Sequence, residues 1–223
     1  MQLPEHSRDT RADVKTLLID YGSGNLRSCA KSLEAAGFNA GAHTLVVSHD
    51  PRDVATADAL VLPGQGHFRQ VMESFLASGF EAALKEHIAL GKAFLGICVG
   101  MQILFDSSAE AECPGLGLIA GRIERFASGL PGLPVPQMQW NTLAPIGDSP
   151  LMRNLPAKPF AYFVHSYYAP VGVASDGAIT EYGVPFQSVV SRGNVHATQF
   201  HPEKSQRLGL QMLENFRDWA ATN

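Results

Sequence analysis

The stretch of residues 92–105 constrains the fold of this chain more than any other. It opens on an apolar run of the kind that forms a buried strand, and residues 99–105 continue as a compact apolar helix. Cys98 stands between the two, with Gly96 and Gly100 two positions away on either side. Glycines so placed let the backbone turn sharply and keep side chains clear of the cysteine. The stretch therefore predicts a strand, a tight turn that carries one cysteine, and a helix.

Cys98 has two interpretations at this point. A thiol at the carboxyl end of a strand and the amino end of a helix is favoured as thiolate, the form that acts as a nucleophile. A lone cysteine in an apolar run is more often a core residue, because cysteine is among the most buried residue types. Both interpretations stay open on this stretch alone.

A second stretch near the carboxyl terminus, residues 197–205, favours catalysis. His201 and Glu203 lie two positions apart, and Pro202 biases the residue before it towards extended backbone. Residues i and i+2 of an extended chain face the same side, so the imidazole and the carboxylate can point together. A carboxylate beside a histidine fixes its tautomer and supports its protonated form. With Cys98 the pair predicts a Cys–His–Glu triad, whose members meet in space rather than in sequence.

Strand-like and helix-like segments alternate from residue 15 to residue 105. This alternation predicts an α/β fold with a doubly wound, mostly parallel sheet. Ligands of such sheets bind beyond the carboxyl ends of the strands, where the loops at residues 21–25 and 63–67 and Cys98 all fall. The predicted strands cover residues 16–20, 42–47, 59–62 and 93–97, and the predicted helices cover residues 26–36 and 68–90, with an interruption at residues 78–79.

Two of these loops are rich in glycine. Gly64, Gln65 and Gly66 follow a buried strand, and the two glycines allow backbone N–H groups to approach a ligand closely, as an oxyanion hole requires. An ordinary turn between strand and helix is the alternative. The loop at residues 22–24 resembles half of a dinucleotide-binding fingerprint, but the third glycine and the following acidic residue are missing. We favour a functional or interface loop on the catalytic edge for this segment.

Beyond residue 105 the chain is rich in glycine and proline, and short β-like segments predominate. They are expected to extend the sheet and to add an antiparallel layer. Residues 208–221 carry apolar side chains at helical spacing and predict a terminal helix that faces the core. Residues 15–223 thus predict one domain, preceded by a flexible tail at residues 1–14 that lacks the apolar segment of a signal peptide. The β-like segments cover residues 116–126, 135–143, 160–168, 178–181, 188–192 and 195–200.

Composition argues against several classes of function. With 17 Lys and Arg against 21 Asp and Glu, the net charge is −4 and no basic tract occurs, which disfavours binding to nucleic acid or to an anionic membrane. No apolar run approaches the roughly 18 residues of a transmembrane helix. The three cysteines form no C-x-x-C pair and indicate a cytoplasmic protein without disulfides. The eight histidines are scattered, so neither a metal site nor another cofactor is predicted.

Several stretches together resemble one family, the class I glutamine amidotransferases, and within it the glutaminase subunits of imidazole glycerol phosphate synthases. Such proteins have a flavodoxin-like fold with added antiparallel strands. Three positions depart from the family pattern: Gln65 where valine is usual, Gln139 where glycine is usual, and Val99 where leucine is usual. The resemblance covers the chain from about residue 15 and rests on residues 20–26, 62–68, 95–102, 115–119, 138–141, 163–168 and 199–205.

The resemblance implies that the chain hydrolyses glutamine to glutamate and ammonia. Cys98 would attack the side-chain amide carbon and form a γ-glutamyl thioester, while His201 moves the protons and Glu203 orients His201. The N–H of Val99 and one N–H from residues 64–66 would hold the oxyanion.

The resemblance also implies residues that bind the substrate. Gln102 on the elbow helix and the backbone of Ser166 and Tyr167 would grip glutamine. A simple surface amide is the alternative for Gln102.

A partner is implied as well. Ammonia is mostly protonated in neutral water, so a biosynthetic glutaminase has to pass it on directly. The family resemblance points to a heterodimer with a cyclase subunit, a (β/α)₈ barrel that uses ammonia to make imidazole glycerol phosphate and an aminoimidazole carboxamide ribotide in histidine biosynthesis. The expected docking rim consists of Trp140, Asn141, Tyr162 and Lys204, with core packing as the alternative for Trp140.

Two other functions compete with this one. The chain could be a class I glutaminase of another pathway, such as anthranilate, aminodeoxychorismate or nucleotide synthesis. It could also be a non-catalytic binding subunit whose Gln65 loop leaves the oxyanion hole unformed. Retention of the whole triad argues against the second of these.

Overall fold

The computed structural model describes residues 13–129 and 131–223. Of the flexible tail predicted at residues 1–14, residues 1–12 lie outside the described part. Val14 already belongs to the first strand. The first strand, predicted at residues 16–20, therefore begins at Val14.

The described residues form fourteen strands, five α-helices and three short 3₁₀ helices. The strands are β1 Val14–Ile19, β2 His43–Ser48, β3 Ala59–Gly64, β4 Ala93–Cys98, β5 Phe105–Ser108, β6 Ala111–Pro114, β7 Ile119–Arg125, β8 Gln137–Thr142, β9 Ala144–Ile146, β10 Phe160–His165, β11 Tyr167–Pro170, β12 Asp176–Glu181, β13 Pro185–Arg192 and β14 Val195–Thr198. The helices are α1 Leu26–Ala35, α2 Phe68–Ala77, α3 Phe80–Ala89, α4 Val99–Gln102 and α5 Gln206–Ala220. The 3₁₀ helices are Pro51–Thr56, Pro150–Met152 and Pro202–Lys204.

The parallel part of the main sheet has the strand order β2–β1–β3–β4–β14. Every residue of β3 and β4 is buried, as expected for apolar strands that are covered on both faces. Beyond β14 the sheet continues through the antiparallel strands β13, β11 and β7. The predicted α/β architecture, a parallel core with added antiparallel strands, is confirmed.

The helices cover both faces of this sheet. The chain moves from β1 to β2 in one direction and from β3 to β4 in the other. Since crossovers between parallel strands are right-handed, α1 lies on one face and α2 with α3 on the opposite face. Helix α5 packs against α1, and α2 packs against α3. Because β1, β3, β4 and β14 run parallel, their carboxyl ends meet at one edge of the sheet.

The elbow helix is shorter than predicted. Instead of spanning residues 99–105, α4 ends at Gln102, and Phe105 opens strand β5. The backbone N–H groups of Leu116 and Leu118 donate to the carbonyls of Ile103 and Leu104, and β5 pairs with β7. These long-range hydrogen bonds replace those of a continued helix.

The predicted strand at residues 160–168 is broken at Ser166, which separates β10 from β11. The Ser166 carbonyl accepts a hydrogen bond from the N–H of Phe126, just beyond β7. Strand β10 pairs with β8 in a separate two-stranded sheet, whereas β11 belongs to the main sheet. The break therefore lets one segment pass between two sheets beside the edge that carries Cys98.

Candidate active site

The backbone of Cys98 is strained, with φ 56° and ψ −114°. Such values are unfavourable for a residue with a side chain by about 1–3 kcal/mol and occur mainly at functional sites. Three glycines make the turn possible. A methyl group on Gly64 would overlap the N–H of Gly100, one on Gly100 would overlap the Leu62 carbonyl, and one on Gly96 would lie 2.9 Å from the Gly100 carbonyl oxygen. The elbow predicted from the sequence is thus present, and it packs backbone against backbone.

The predicted oxyanion loop begins directly beside the cysteine, because Gly64 pairs with Cys98 in the register of β3 and β4. Gln65 and Gly66 follow as exposed residues, and Gly66 has a φ of +96° that favours glycine. The buried Tyr21 hydroxyl donates a 2.8 Å hydrogen bond to the Pro63 carbonyl. The loop after β1 therefore contacts the carboxyl end of β3.

His201 and Glu203 form a buried pair. His201 Nδ1 lies 2.8 Å from Glu203 Oε1, and the two side chains are 8% and 5% exposed. The segment is fixed by its own hydrogen bonds, because the Ser205 hydroxyl donates to the His201 carbonyl and accepts from the N–H of Tyr162. The i, i+2 spacing read from the sequence thus brings the imidazole and carboxylate together.

The pKa of His201 is raised to about 10. Burial alone would lower this pKa, but hydrogen bonds with Cys98 and Glu203, and the negative charges of both groups, outweigh it. His201 therefore carries a proton near neutral pH, and it lines the same cavity as Cys98. The structure brings Cys98, His201 and Glu203 into one connected group.

A cavity of about 480 Å³ opens over this group. Its size suits a small polar molecule. The walls come from all the predicted loops on this edge and from the segment around Ser166. They are formed by Ser23, Gln65, Gly66, Cys98, Val99, Gln102, Glu110, Pro136, Val164, His165, Ser166, Tyr167, His201 and Lys204.

The predicted substrate-binding residues Gln102, Ser166 and Tyr167 all line the cavity. Gln102 is 3% exposed, so it is not a simple surface amide. Its Nε2 donates to the Tyr167 carbonyl at 3.2 Å and to Gln199 Oε1 at 3.0 Å. Both amide hydrogens of Gln102 are therefore engaged within the protein, and Oε1 is its group available to a ligand.

Two residues at the site were not singled out from the sequence. Glu110 lines the cavity, and its Oε2 accepts a 2.7 Å hydrogen bond from the N–H of Phe68, the first residue of α2. Gln199 is buried, and its Nε2 lies 3.9 Å from Cys98 Sγ. Glu110 sits in a short turn without a sequence signal, whereas Gln199 stands two residues before His201, where period-2 alternation places it on the same face.

The predicted docking residues lie beside the cavity or on the neighbouring β8–β10 sheet. Trp140 is 43% exposed and packs against Tyr162 with ring centroids 5.7 Å apart, so it is not a core residue. Lys204 is exposed at the cavity wall. The half-buried Asn141 donates a 2.8 Å hydrogen bond to the Glu181 carbonyl.

The described part of the chain holds no group of three His, Cys, Asp or Glu side chains arranged to bind a metal. All three cysteines are free thiols. Among residues 13–129 and 131–223, none of the helices is long and apolar enough to cross a membrane.

Comparison with known proteins places this arrangement in a family. The family model for glutamine amidotransferase class-I matches residues 17–219. The subunit HisH of imidazole glycerol phosphate synthase from Deinococcus radiodurans is 56% identical over 209 residues, which cover 93% of this chain and 94% of the relative. The HisH subunit of Thermus thermophilus is 49% identical over 201 residues, which cover 90% of this chain and 95% of the relative.

Solved structures share the fold of this chain. A solved glutamine amidotransferase structure superimposes with a TM-score of 0.68 at 20% sequence identity, covering 92% of this chain and 98% of that one. At this identity the likeness speaks for the fold alone, whereas the family match extends over nearly the whole chain and includes the elbow, the cavity walls and the His–Glu pair. The chain belongs to the class-I glutamine amidotransferases.

Proposed function

We propose that this chain is the glutaminase subunit of an imidazole glycerol phosphate synthase, with Cys98 as nucleophile, His201 as proton carrier and Glu203 as its orienting partner. The observation that carries the proposal is the group itself: a strained elbow cysteine shares one cavity with a histidine whose pKa it raises, and a buried carboxylate holds that histidine at 2.8 Å. The subunit's pathway, histidine biosynthesis, is proposed from relatives that are up to 56% identical and carry that subunit's name.

The first half of the reaction uses the protonated histidine. Cys98 Sγ attacks the side-chain amide carbon of glutamine, and the carbonyl oxygen becomes an oxyanion. His201, whose pKa is raised to about 10, then gives its proton to the departing nitrogen, so that ammonia leaves and a γ-glutamyl thioester remains.

The second half needs the same histidine as a base. Acylation removes the negative charge from the sulfur, and that charge is one of the causes that raise the pKa of His201. The neutral imidazole left after proton donation can therefore accept a proton from water, which attacks the thioester and releases glutamate. Glu203 keeps the Nε2 side of the ring directed at the reacting atoms, because Nδ1 is held by Oε1.

The oxyanion would be held by backbone N–H groups of Val99 and of the loop at residues 64–66. The register pair of Gly64 with Cys98 supports this assignment, because it sets the loop against the nucleophile. A single donor of this kind contributes about 2.7–4 kcal/mol to transition-state stabilisation.

The substrate's amino-acid end would lie between Glu110, Gln102 and the Ser166–Tyr167 backbone. Glu110 supplies a carboxylate for the substrate ammonium group, and Gln102 Oε1 supplies a second acceptor. Backbone N–H groups at Ser166 and Tyr167 suit the substrate carboxylate. Together these groups are complementary to the two charged ends of a free amino acid.

The ammonia would pass to a cyclase partner in a heterodimer. The β8–β10 sheet beside the cavity exposes the apolar side chains Met138, Trp140 and Phe160 to 60%, 43% and 49%, and Lys204 stands at the cavity wall. An exposed apolar patch next to an active site is typical of a protein–protein interface. We propose that Trp140, Tyr162 and Lys204 contact the cyclase, while Asn141 shapes the rim from within.

The test is release of glutamate from glutamine by the purified chain, measured alone and with the histidine-pathway cyclase of the same organism and its ribonucleotide ligand. The proposal expects activity that rises strongly with the liganded cyclase and disappears in Cys98→Ala. Equal activation by an anthranilate-pathway synthase would assign the chain to another pathway. Absence of any release above the Cys98→Ala level in the verified complex would overturn catalysis.

A further inference from the structure

Gln199 occupies a position that the triad does not account for. It is 1% exposed, and its Nε2 approaches the nucleophile sulfur at 3.9 Å, a long N–H···S contact. Its Oε1 accepts from Gln102 Nε2 at 3.0 Å. Gln102 Nε2 in turn donates to the Tyr167 carbonyl at 3.2 Å. Two buried amides thus connect the substrate-binding backbone to Cys98.

The direction of these hydrogen bonds is fixed at one end. A backbone carbonyl only accepts, so Tyr167 requires the NH₂ group of Gln102 on its side. The same NH₂ group points to Gln199, which must therefore present its oxygen to Gln102. The NH₂ group of Gln199 is then left facing Cys98 Sγ. The Tyr167 carbonyl is itself held by His165 Nδ1 at 2.7 Å, so the starting point of the chain is rigid.

A hydrogen-bond donor directed at the sulfur stabilises the thiolate more than the thiol. A thiol is a weak acceptor, whereas a thiolate is an anion that accepts a charge-assisted hydrogen bond. We infer that Gln199 is a further catalytic residue, a preoriented donor that stabilises the Cys98 thiolate and fixes the sulfur for attack, with Gln102 and the Tyr167 carbonyl as its positioning groups. The inference rests on the proposed role of Cys98 as nucleophile.

The short elbow helix makes this donor necessary. Helix α4 has four residues, too few for a substantial dipole at the nucleophile, so the thiolate depends on individual donors. His201 supplies one contact and Gln199 the other. Two donors at the sulfur would restrict its orientation for attack on the substrate carbon.

The test measures thiolate formation and needs neither glutamine turnover nor a partner. The rate of Cys98 alkylation by iodoacetamide is followed against pH by peptide mass spectrometry in wild type, Gln199→Leu and Gln199→Glu. Cys113, which is partly exposed, serves as the internal reference in each sample. Gln187→Leu is the matched control, because Gln187 is also fully buried but its amide binds the backbone of Ala174 outside the cavity.

The pH of half-maximal Cys98 alkylation is expected to rise by about one unit in Gln199→Leu, since a charge-assisted hydrogen bond is lost. It should rise further in Gln199→Glu, where a carboxylate oxygen faces the sulfur. The Cys113 profile and the Gln187→Leu protein should match wild type. If the leucine variant does not fold, the near-isosteric glutamate variant carries the test.

An unchanged alkylation profile in the folded Gln199 variants would overturn the inference. So would a shift in Gln199→Leu without a larger one in Gln199→Glu, since that order indicates packing rather than donation. Failure of the proposed function gives a different result: Cys98→Ala would retain glutamate release while the alkylation shifts of the Gln199 variants remain measurable.

Discussion

His201 Nδ1 and Glu203 Oε1 are held 2.8 Å apart in a setting where both side chains are nearly fully buried. The other carboxylate oxygen, Glu203 Oε2, is buried without a hydrogen-bond partner among the described residues. A buried carboxylate oxygen without a partner is unfavourable for stability. The position of the carboxylate is therefore explained by the chemistry of His201, and the pair also contributes to stability through the raised pKa of His201.

Glu203→Gln tests this interpretation because it keeps the shape and removes the charge. We expect cyclase-activated glutamate release to fall about 10²–10⁴-fold, as when a triad histidine loses its carboxylate. The free energy of unfolding should fall by about 1.5–3 kcal/mol, because a buried hydrogen bond between two charged groups becomes one to a neutral amide, and the variant should stay folded. Glutamate assays and urea unfolding measure the two quantities.

The control for that variant is Glu73→Gln, on the exposed surface of α2. It should change neither quantity. A Glu203→Gln protein that keeps wild-type activity, or that loses activity only because it unfolds, would contradict the assigned role.

Gly100→Ala tests the close packing of the elbow. A methyl group there meets the Leu62 carbonyl, so β3 and α4 must separate. We expect a loss of about 1–3 kcal/mol in the free energy of unfolding, as for other overpacked sites, together with a loss of activity.

Gly193→Ala provides the comparison for the elbow variant. Gly193 has a φ of +58° but open space around it, so this substitution adds backbone strain of about 1 kcal/mol without a clash. It should leave activity unchanged. Loss of activity in both variants to the same degree would speak against a specific role for elbow packing.

Three buried histidines predict that stability falls in mild acid. Burial is the main cause that lowers the pKa values of His87, His165 and His196 to about 4. Between pH 4 and the usual histidine pKa of about 6.5, the unfolded chain therefore binds more protons than the folded chain. Stability should be fully present above about pH 6.5 and should decrease as the pH falls towards 4.

Urea unfolding at several pH values measures this effect, and His196→Gln should make the decrease smaller. His67→Gln, at an exposed position, should not. His201 acts in the opposite sense: its raised pKa gives a contribution that is present below about pH 6.5 and is lost as the pH rises through about 10. A stability that is flat from pH 7 to pH 4 would contradict the neutral state of the three histidines.

The parallel half of the fold could be predicted from the sequence because its signals are local. Short runs of four or five residues identified β1, β3 and β4, and the break between α2 and α3 fell at Gly79, whose φ is +79°. The length of α4 could not be predicted. Ile103 and Leu104 suit a helix equally well, and the hydrogen bonds from Leu116 and Leu118 that end it come from later in the chain.

The residues of the candidate site also divide into those with a local sequence signal and those placed by long-range packing. Cys98, His201 and Glu203 were identified by their chemistry and spacing. Glu110 and the contact of Gln199 with sulfur depend on long-range packing, and neither residue type is distinctive in its stretch. Gln102 was predicted to bind substrate, but only the structure reveals that its NH₂ group is already engaged by Tyr167 and Gln199.

Trp140→Ala tests the proposed docking face. The side chain is 43% exposed, so its removal should leave the unfolding free energy nearly unchanged. Loss of an aromatic anchor at an interface should raise the cyclase concentration needed for half-maximal activation about tenfold or more. Leu90→Ala, at a 66% exposed leucine next to the amino end of β4, is the matched control and should not change it. Equal activation curves for both variants would place the cyclase elsewhere.

The central claim is that Cys98 forms a thioester with the glutamyl group of the substrate. The most direct measurement is peptide mass spectrometry of the protein, quenched in acid during turnover of glutamine with the liganded cyclase. We predict one glutamyl group on the peptide that contains Cys98, none on those containing Cys29 or Cys113, and no glutamate release by Cys98→Ala. Glutamate release by Cys98→Ala at the wild-type rate, with no glutamyl group on the Cys98 peptide of the wild type, would contradict the account.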